Sequence, residues 1–137
     1  MKIMLEEYAF MPLRGHETDG GLDLRAPYDE WLDKGSHVII DTGVHVELPK
    51  GTVGLLKSKS GLNVKHGIVS EGVIDQGYTG SIVVKLYNHS EFAYRIHAGD
   101  KISQLVIVPV VIPESIEIVD KLEETERGSN GFGSTGK

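Results

Sequence analysis

Short alternating stretches, each cut off by glycine, proline, asparagine or aspartate, most limit what this chain can become. Val44, Val46 and Leu48 alternate with His45 and Glu47, and Pro49-Lys50-Gly51 then reads as a turn. Ile82, Val84 and Leu86 alternate with Val83, Lys85 and Tyr87, and Asn88-His89-Ser90 closes the run. Phe92 to Ile96 runs into the turn-like Ala98-Gly99-Asp100. Ile102 to Val111 is longer and β-branched, with Pro109 marking an edge or a bend. Ile116 and Ile118 alternate once more. Short strands at this spacing predict an all-β sandwich or barrel. The helix candidates are short, Asp29 to Lys34 and a turn near Leu62 to His66. With no internal repeat or linker, the 137 residues read as one domain.

Composition narrows the function classes. There is no cysteine, which removes a disulfide framework, a thiol nucleophile and every cysteine-based zinc site. A net charge of −6 argues against a surface built to coat nucleic acid. The longest strongly apolar stretch, Leu105 to Ile112, is far short of a membrane span, and Met1 to Phe10 does not read as a secretory signal. Seventeen glycines punctuate the strands and gather at the C-terminus, where 127–137 holds a single large apolar residue, Phe132. Such a tail cannot pack a core of its own. It reads either as a frayed end or as an arm that orders on an anion, its backbone N–H groups approaching phosphate. Gly131 to Lys137 imitates the start of a Walker A loop, but the helix that should follow is missing and no α/β pattern precedes it.

Several segments could carry chemistry. The six histidines show no HExxH spacing and read as solvated or loop residues. In Gly72-Val73-Ile74-Asp75-Gln76-Gly77-Tyr78-Thr79-Gly80, an apolar run ends in an acid and a glycine turn presents an aromatic. It reads as an ordinary β-turn, or as a carboxylate at a pocket rim beside a flat wall for a sugar or base. Lys57-Ser58-Lys59-Ser60-Gly61 is either a solvated hairpin end or a phosphate cradle. Gly99-Asp100-Lys101-Ile102-Ser103-Gln104 is a turn unless Gln104 points at a ligand. Gly20-Gly21-Leu22-Asp23-Leu24-Arg25-Ala26 is a strand start with one acid.

Taken together and in order, these segments resemble the five motifs of the trimeric dUTP pyrophosphatases (dUTPases). GGLDLRA at 20–26 is similar to the first, PKGTVGLLKSKSG at 49–61 to the second and GVIDQGYTG at 72–80 to the third. GDKISQLV at 99–106 is similar to the fourth and RGSNGFGSTG at 127–136 to the fifth. The resemblance implies a β jelly-roll (β-clip) domain over 1–126, a flexible glycine-rich arm over 127–137, and a homotrimer. Each site would then draw on more than one subunit. The implied reaction is hydrolysis of dUTP to dUMP and pyrophosphate with Mg²⁺, in the cytoplasm, or the host cytoplasm for a virus-encoded chain. No nucleic-acid or membrane partner is implied.

By position, Asp75 matches the general base that activates water for attack on the α-phosphorus. Tyr78 matches the ring that packs on deoxyribose. The backbone at Val69 and at Gly72, Val73 and Ile74 matches the hairpin that reads uracil. Lys59, Ser60 and Gly61 match the second motif's phosphate binders, and Gln104 the fourth motif's phosphate contact. Arg127, Ser134 and Thr135 match the arm's γ-phosphate donors and Phe132 its uracil-stacking aromatic, with Gly133 carried over beside them as substrate-binding. Asp23 matches an acid that touches the magnesium site through water. Two positions depart from the pattern. Lys59 stands where the family usually has arginine, giving charge without a bidentate fork. Val69 stands where some relatives have asparagine, which leaves uracil to backbone groups. The alternatives are a catalytically weak dUTP-binding regulator and a dCTP deaminase-type relative. The latter puts Lys85 where the deaminase needs a glutamate.

Overall fold

The computed structural model describes residues 1–131. Ten strands and one short helix follow in chain order: β1 (Lys2–Leu5), β2 (Gly21–Arg25), β3 (Glu30–Leu32), β4 (His37–Glu47), β5 (Thr52–Ser58), α1 (Ser60–His66), β6 (Ile68–Val69), β7 (Glu71–Ile74), β8 (Ser81–Asn88), β9 (Tyr94–Ile96) and β10 (Lys101–Pro109). Two four-stranded antiparallel sheets, β1-β4-β8-β6 and β2-β10-β5-β7, are joined by a two-stranded β3-β9 ribbon. The expected all-β jelly-roll architecture is what the chain adopts.

Alternation explains the core. On β8, Ile82, Val84, Leu86 and Asn88 point inward, while Val83 and Tyr87 face out. They meet Leu24, Leu32, Ile40, Ile96, Ile102 and Leu105, all almost wholly buried, in one apolar cluster. Burying that many aliphatic side chains is the main force holding the sheets together. Asn88 is the polar exception. Its amide donates to the Leu32 and Phe92 carbonyls and its oxygen accepts from Ser90, so no polar group there is left unpaired.

Two sequence expectations fail. Asp29 to Lys34 is not helical. Glu30–Leu32 pairs with Tyr94–Ile96, sending Leu32 into the core and leaving Trp31 outside. Three residues cannot support a helix against that sheet partner, and an isolated single turn is unstable in water. Ile116 and Ile118 form no strand. They are 89% and 97% exposed, because alternation makes a strand only where another strand supplies hydrogen bonds. The turn near Leu62 does form α1, closed by Gly67 at φ 63°, whose N–H donates to the Asn63 carbonyl.

Candidate active site

At one end of the β2-β10-β5-β7 sheet, register brings three distant segments together. Gln104 on β10 stands opposite Asp23 on β2 and Lys57 on β5. Asp23 is only 4% exposed, yet it is charged and paired on both sides. Its Oδ1 receives the Lys59 ammonium at 2.5 Å and its Oδ2 that of Lys101 at 2.7 Å. Burial pushes the Asp23 carboxyl up, but hydrogen bonds and charge from Lys101 and Lys59 outweigh it and hold the group below its ordinary value. Gln104 donates from Nε2 to the Ser58 carbonyl at 3.1 Å. Gly21 makes room for it, since a Cβ there would lie 2.7 Å from the Gln104 amide oxygen. An open cavity of about 310 Å³ is lined by Lys59, Gly61, Leu62, Lys65, His66 and Lys101, among others. Three lysines at its rim suit a polyanion.

A second cavity, about 220 Å³, is lined by Val73, Ile74, Asp75, Tyr78, Ser81 and Val83. Asp75 leaves the end of β7 with its side chain exposed. The turn after it is tied at both ends. Tyr78 N–H donates to the Asp75 carbonyl at 3.0 Å, and the Tyr78 hydroxyl donates to the Ser81 carbonyl at 2.9 Å. A Cβ at Gly80 would fall inside the Tyr78 phenol, so the ring can lie back only over glycine. The Gly51 N–H donates to Gln76 Oε1 at 2.6 Å, and His45 Nδ1 donates to the Thr79 carbonyl at 2.8 Å. A carboxylate, an aromatic face and apolar walls suit a flat ring with a proton acceptor beside it.

These two clusters do not meet within one chain. Gly54 pairs with Ile74, and continuing that register sets Asp75 beside Val53. Lys59 lies six residues further along, about 20 Å at strand rise. That exceeds the length of a triphosphate. Asp23, Lys59, Ser60, Gly61 and Gln104 therefore gather at one end, and Val73, Ile74, Asp75 and Tyr78 at the other. Gly72, opposite Leu56, lies between them. Val69 is half-buried opposite Tyr87 and does not line the Asp75 cavity. The Arg127 guanidinium donates to the Asn130 carbonyl at 3.2 Å, within its own segment. Phe132, Gly133, Ser134 and Thr135 lie outside the described residues. The sequence motifs by themselves give Lys101 no role. Its place three residues before Gln104 was the available signal, but only strand pairing reveals that it faces Asp23.

No cluster of three or more histidine, aspartate or glutamate side chains able to hold a metal occurs among the described residues. With both Asp23 oxygens occupied by ammonium groups, these residues do not fit a magnesium ion held directly by the protein.

The dUTPase family model matches residues 7–136. The deoxyuridine 5'-triphosphate nucleotidohydrolase of Clostridium tetani is 42% identical over 137 residues, covering 98% of this chain and 94% of the relative. Among solved structures, the dUTPase of Staphylococcus bacteriophage 80alpha with dUpNHpp superposes with a TM-score of 0.92 at 34% identity, covering 99% of this chain and 98% of that one. A dUTPase variant from phage phi11 of S. aureus, described for its coordination of a structural Mg(II) ion, gives a TM-score of 0.81 at 32% identity, covering 90% and 98%.

Proposed function

This chain belongs to the dUTPase family, and from that premise we propose that it works at a site which two copies of the chain complete together. The reaction is hydrolysis of dUTP to dUMP and pyrophosphate. The observation that carries the reading is the separation of about 20 Å between the Asp75 and Lys59 ends of the β5–β7 pair. One end has the chemistry for a nucleoside and a water, the other for a polyphosphate. Neither suffices alone. A neighbouring copy that sets its phosphate end against this chain's Asp75 slot satisfies both; such contacts can close into a ring, and the family resemblance implies a homotrimer with three sites.

Within such a site each group has a chemical task. Uracil and deoxyribose enter the slot formed by Val73, Ile74 and Tyr78, with backbone groups of Gly72 to Ile74 reading the base edge. The Tyr78 ring lies on the sugar and leaves no space for a 2′-hydroxyl. Asp75 takes a proton from water as its oxygen bonds to the α-phosphorus, the α–β bridging P–O bond breaks, and pyrophosphate leaves. Lys59, Ser60, Gly61 and Gln104 from the neighbour hold the β- and γ-phosphates, with Lys101 adding charge. The 127–137 arm, through Arg127, Phe132, Gly133, Ser134 and Thr135, closes over the nucleotide and excludes bulk water. Mg²⁺ is the cofactor the family resemblance implies. Asp23, with both carboxylate oxygens on lysines, does not hold it directly.

Lys85 argues against deaminase chemistry. It stands on the outer side of β8 with its ammonium 4.8 Å from the Tyr87 ring centre, where a carboxylate would be needed. No described helix is long and apolar enough to cross a membrane, and a cytoplasmic setting fits a nucleotide substrate. The test is pyrophosphate release with Mg²⁺ from dUTP, dTTP, dCTP and UTP at equal concentration. Release confined to dUTP is expected. Equal release from UTP would remove the sugar role of Tyr78, and none from any nucleotide would overturn the reaction.

A further inference from the structure

Three serine hydroxyls lie behind the phosphate end, each next in sequence to a residue of the candidate site. Ser58 precedes Lys59, Ser70 follows Val69, and Ser103 precedes Gln104. Ser103 is fully buried and Ser70 almost so. Their hydroxyl oxygens are 2.9 Å apart. Ser103 donates to the Lys57 carbonyl at 3.1 Å, so the hydroxyl proton between the two serines comes from Ser70. Ser58 completes the link, accepting the Ser70 N–H at 2.9 Å and donating to the Ser70 carbonyl at 3.2 Å. The Ser58 carbonyl in turn holds the Gln104 amide.

The backbone is bent to build this contact. The β2–β10 pairing slips between Lys101 and Ser103, a bulge that buries Ile102 and Ser103 in succession where regular alternation would turn one of them outward. A buried hydroxyl is costly unless its hydrogen bonds are met, and a small apolar residue would fill the same space without that demand. The bulge brings in a hydroxyl, every hydrogen bond is satisfied, and three chain segments are tied at one point.

We infer that Ser70 and Ser103 are positioning residues: their buried hydroxyl bridge fixes β5, β10 and the 69–71 segment so that Lys59 and Gln104 are set for the β- and γ-phosphates. This rests on the proposal that the Lys59 end binds the triphosphate. The test uses the full chain and measures the affinity of two ligands, a dUTP analogue with a non-hydrolysable α,β bridge and dUMP, which leaves the β- and γ-positions empty. Ser103→Ala and Ser70→Ala should each weaken the analogue about five- to twenty-fold and leave dUMP within about twofold. The double variant should be no worse than either single one, since both break the same link. Ser103→Cys, somewhat larger than serine but still a weak donor, should fall between Ser103→Ala and the native chain, and serves if the alanine variants do not fold. A lower melting temperature with both affinities unchanged, or an equal loss for both ligands, would overturn the inference. Lys59→Ala is the control. If it weakens the analogue and the serine variants do not, the brace is wrong. If it too leaves the analogue's affinity unchanged, the triphosphate does not bind at this end and the inference falls with that reading.

Discussion

Asp75 and Lys59 stand at opposite ends of one β-strand pair, about 20 Å apart within a single copy of the chain. With the roles proposed above, a base and a phosphate-binding lysine so placed serve the same nucleotide only across a subunit boundary. Mixing inactive Asp75→Asn and Lys59→Ala chains in equal amounts, with unfolding and reassembly, should therefore restore activity. Random assembly gives each site an intact Asp75 from one copy and an intact Lys59 from another with even odds each, so about a quarter of native activity is expected. No recovery would mean that both groups act from one copy.

Asp75 is exposed at a cavity rim and carries the only carboxylate among the residues lining that cavity. Asp75→Asn should lower kcat by about 10² to 10⁴ while KM stays within severalfold, because the amide keeps the shape but cannot take the water's proton. Steady-state kinetics decides this, and a near-native kcat would remove Asp75 as the base.

Gly80 lets the Tyr78 ring lie back against the turn, since a Cβ there would overlap the phenol. Gly80→Ala should displace the ring and loosen the exclusion of the 2′-hydroxyl. The ratio of kcat/KM for dUTP to that for UTP is expected to fall by at least about fivefold. An unchanged ratio would show that discrimination lies elsewhere.

Asp23 is held below its ordinary titration range in the folded chain despite its burial, because Lys101 and Lys59 outweigh the desolvation. A carboxyl depressed on folding adds stability above its unfolded value near 3.9, and that stability is lost as pH falls through the lower folded value. Asp23→Asn should cost about 1–3 kcal/mol at neutral pH, discounted for the solvent reaching both lysines. The gap to the native chain should close as pH drops below about 4. Denaturant unfolding from pH 7 to 3 measures it, and a gap that stayed constant would separate Asp23 from the acid limb.

Much of the fold was legible locally. The alternation of Ile82, Val84 and Leu86 became the inward face of β8, and Ile102 onward became β10, ending at Pro109. The failures have a common cause. Glu30–Leu32 became a strand because Tyr94–Ile96 lay beside it, while Ile116 and Ile118 had no such neighbour among the described residues. A strand's hydrogen bonds belong to its partner, and no local pattern states where the partner is.

The site divides along the same line. Sequence alone determined which residue types are present and in what order: the acid before the glycine turn, the Lys-Ser-Gly step, the glutamine after the Gly-Asp turn and the glycine-rich tail. These suffice to identify the family, because motifs are strings and survive without coordinates. Only the tertiary structure decided that Asp23 lies between Lys59 and Lys101, that a bulge turns Ser103 inward to meet Ser70, and that Asp75 stands a strand's length from Lys59. Each depends on the register between strands far apart in the chain, where a shift of one residue exchanges the buried face for the exposed one.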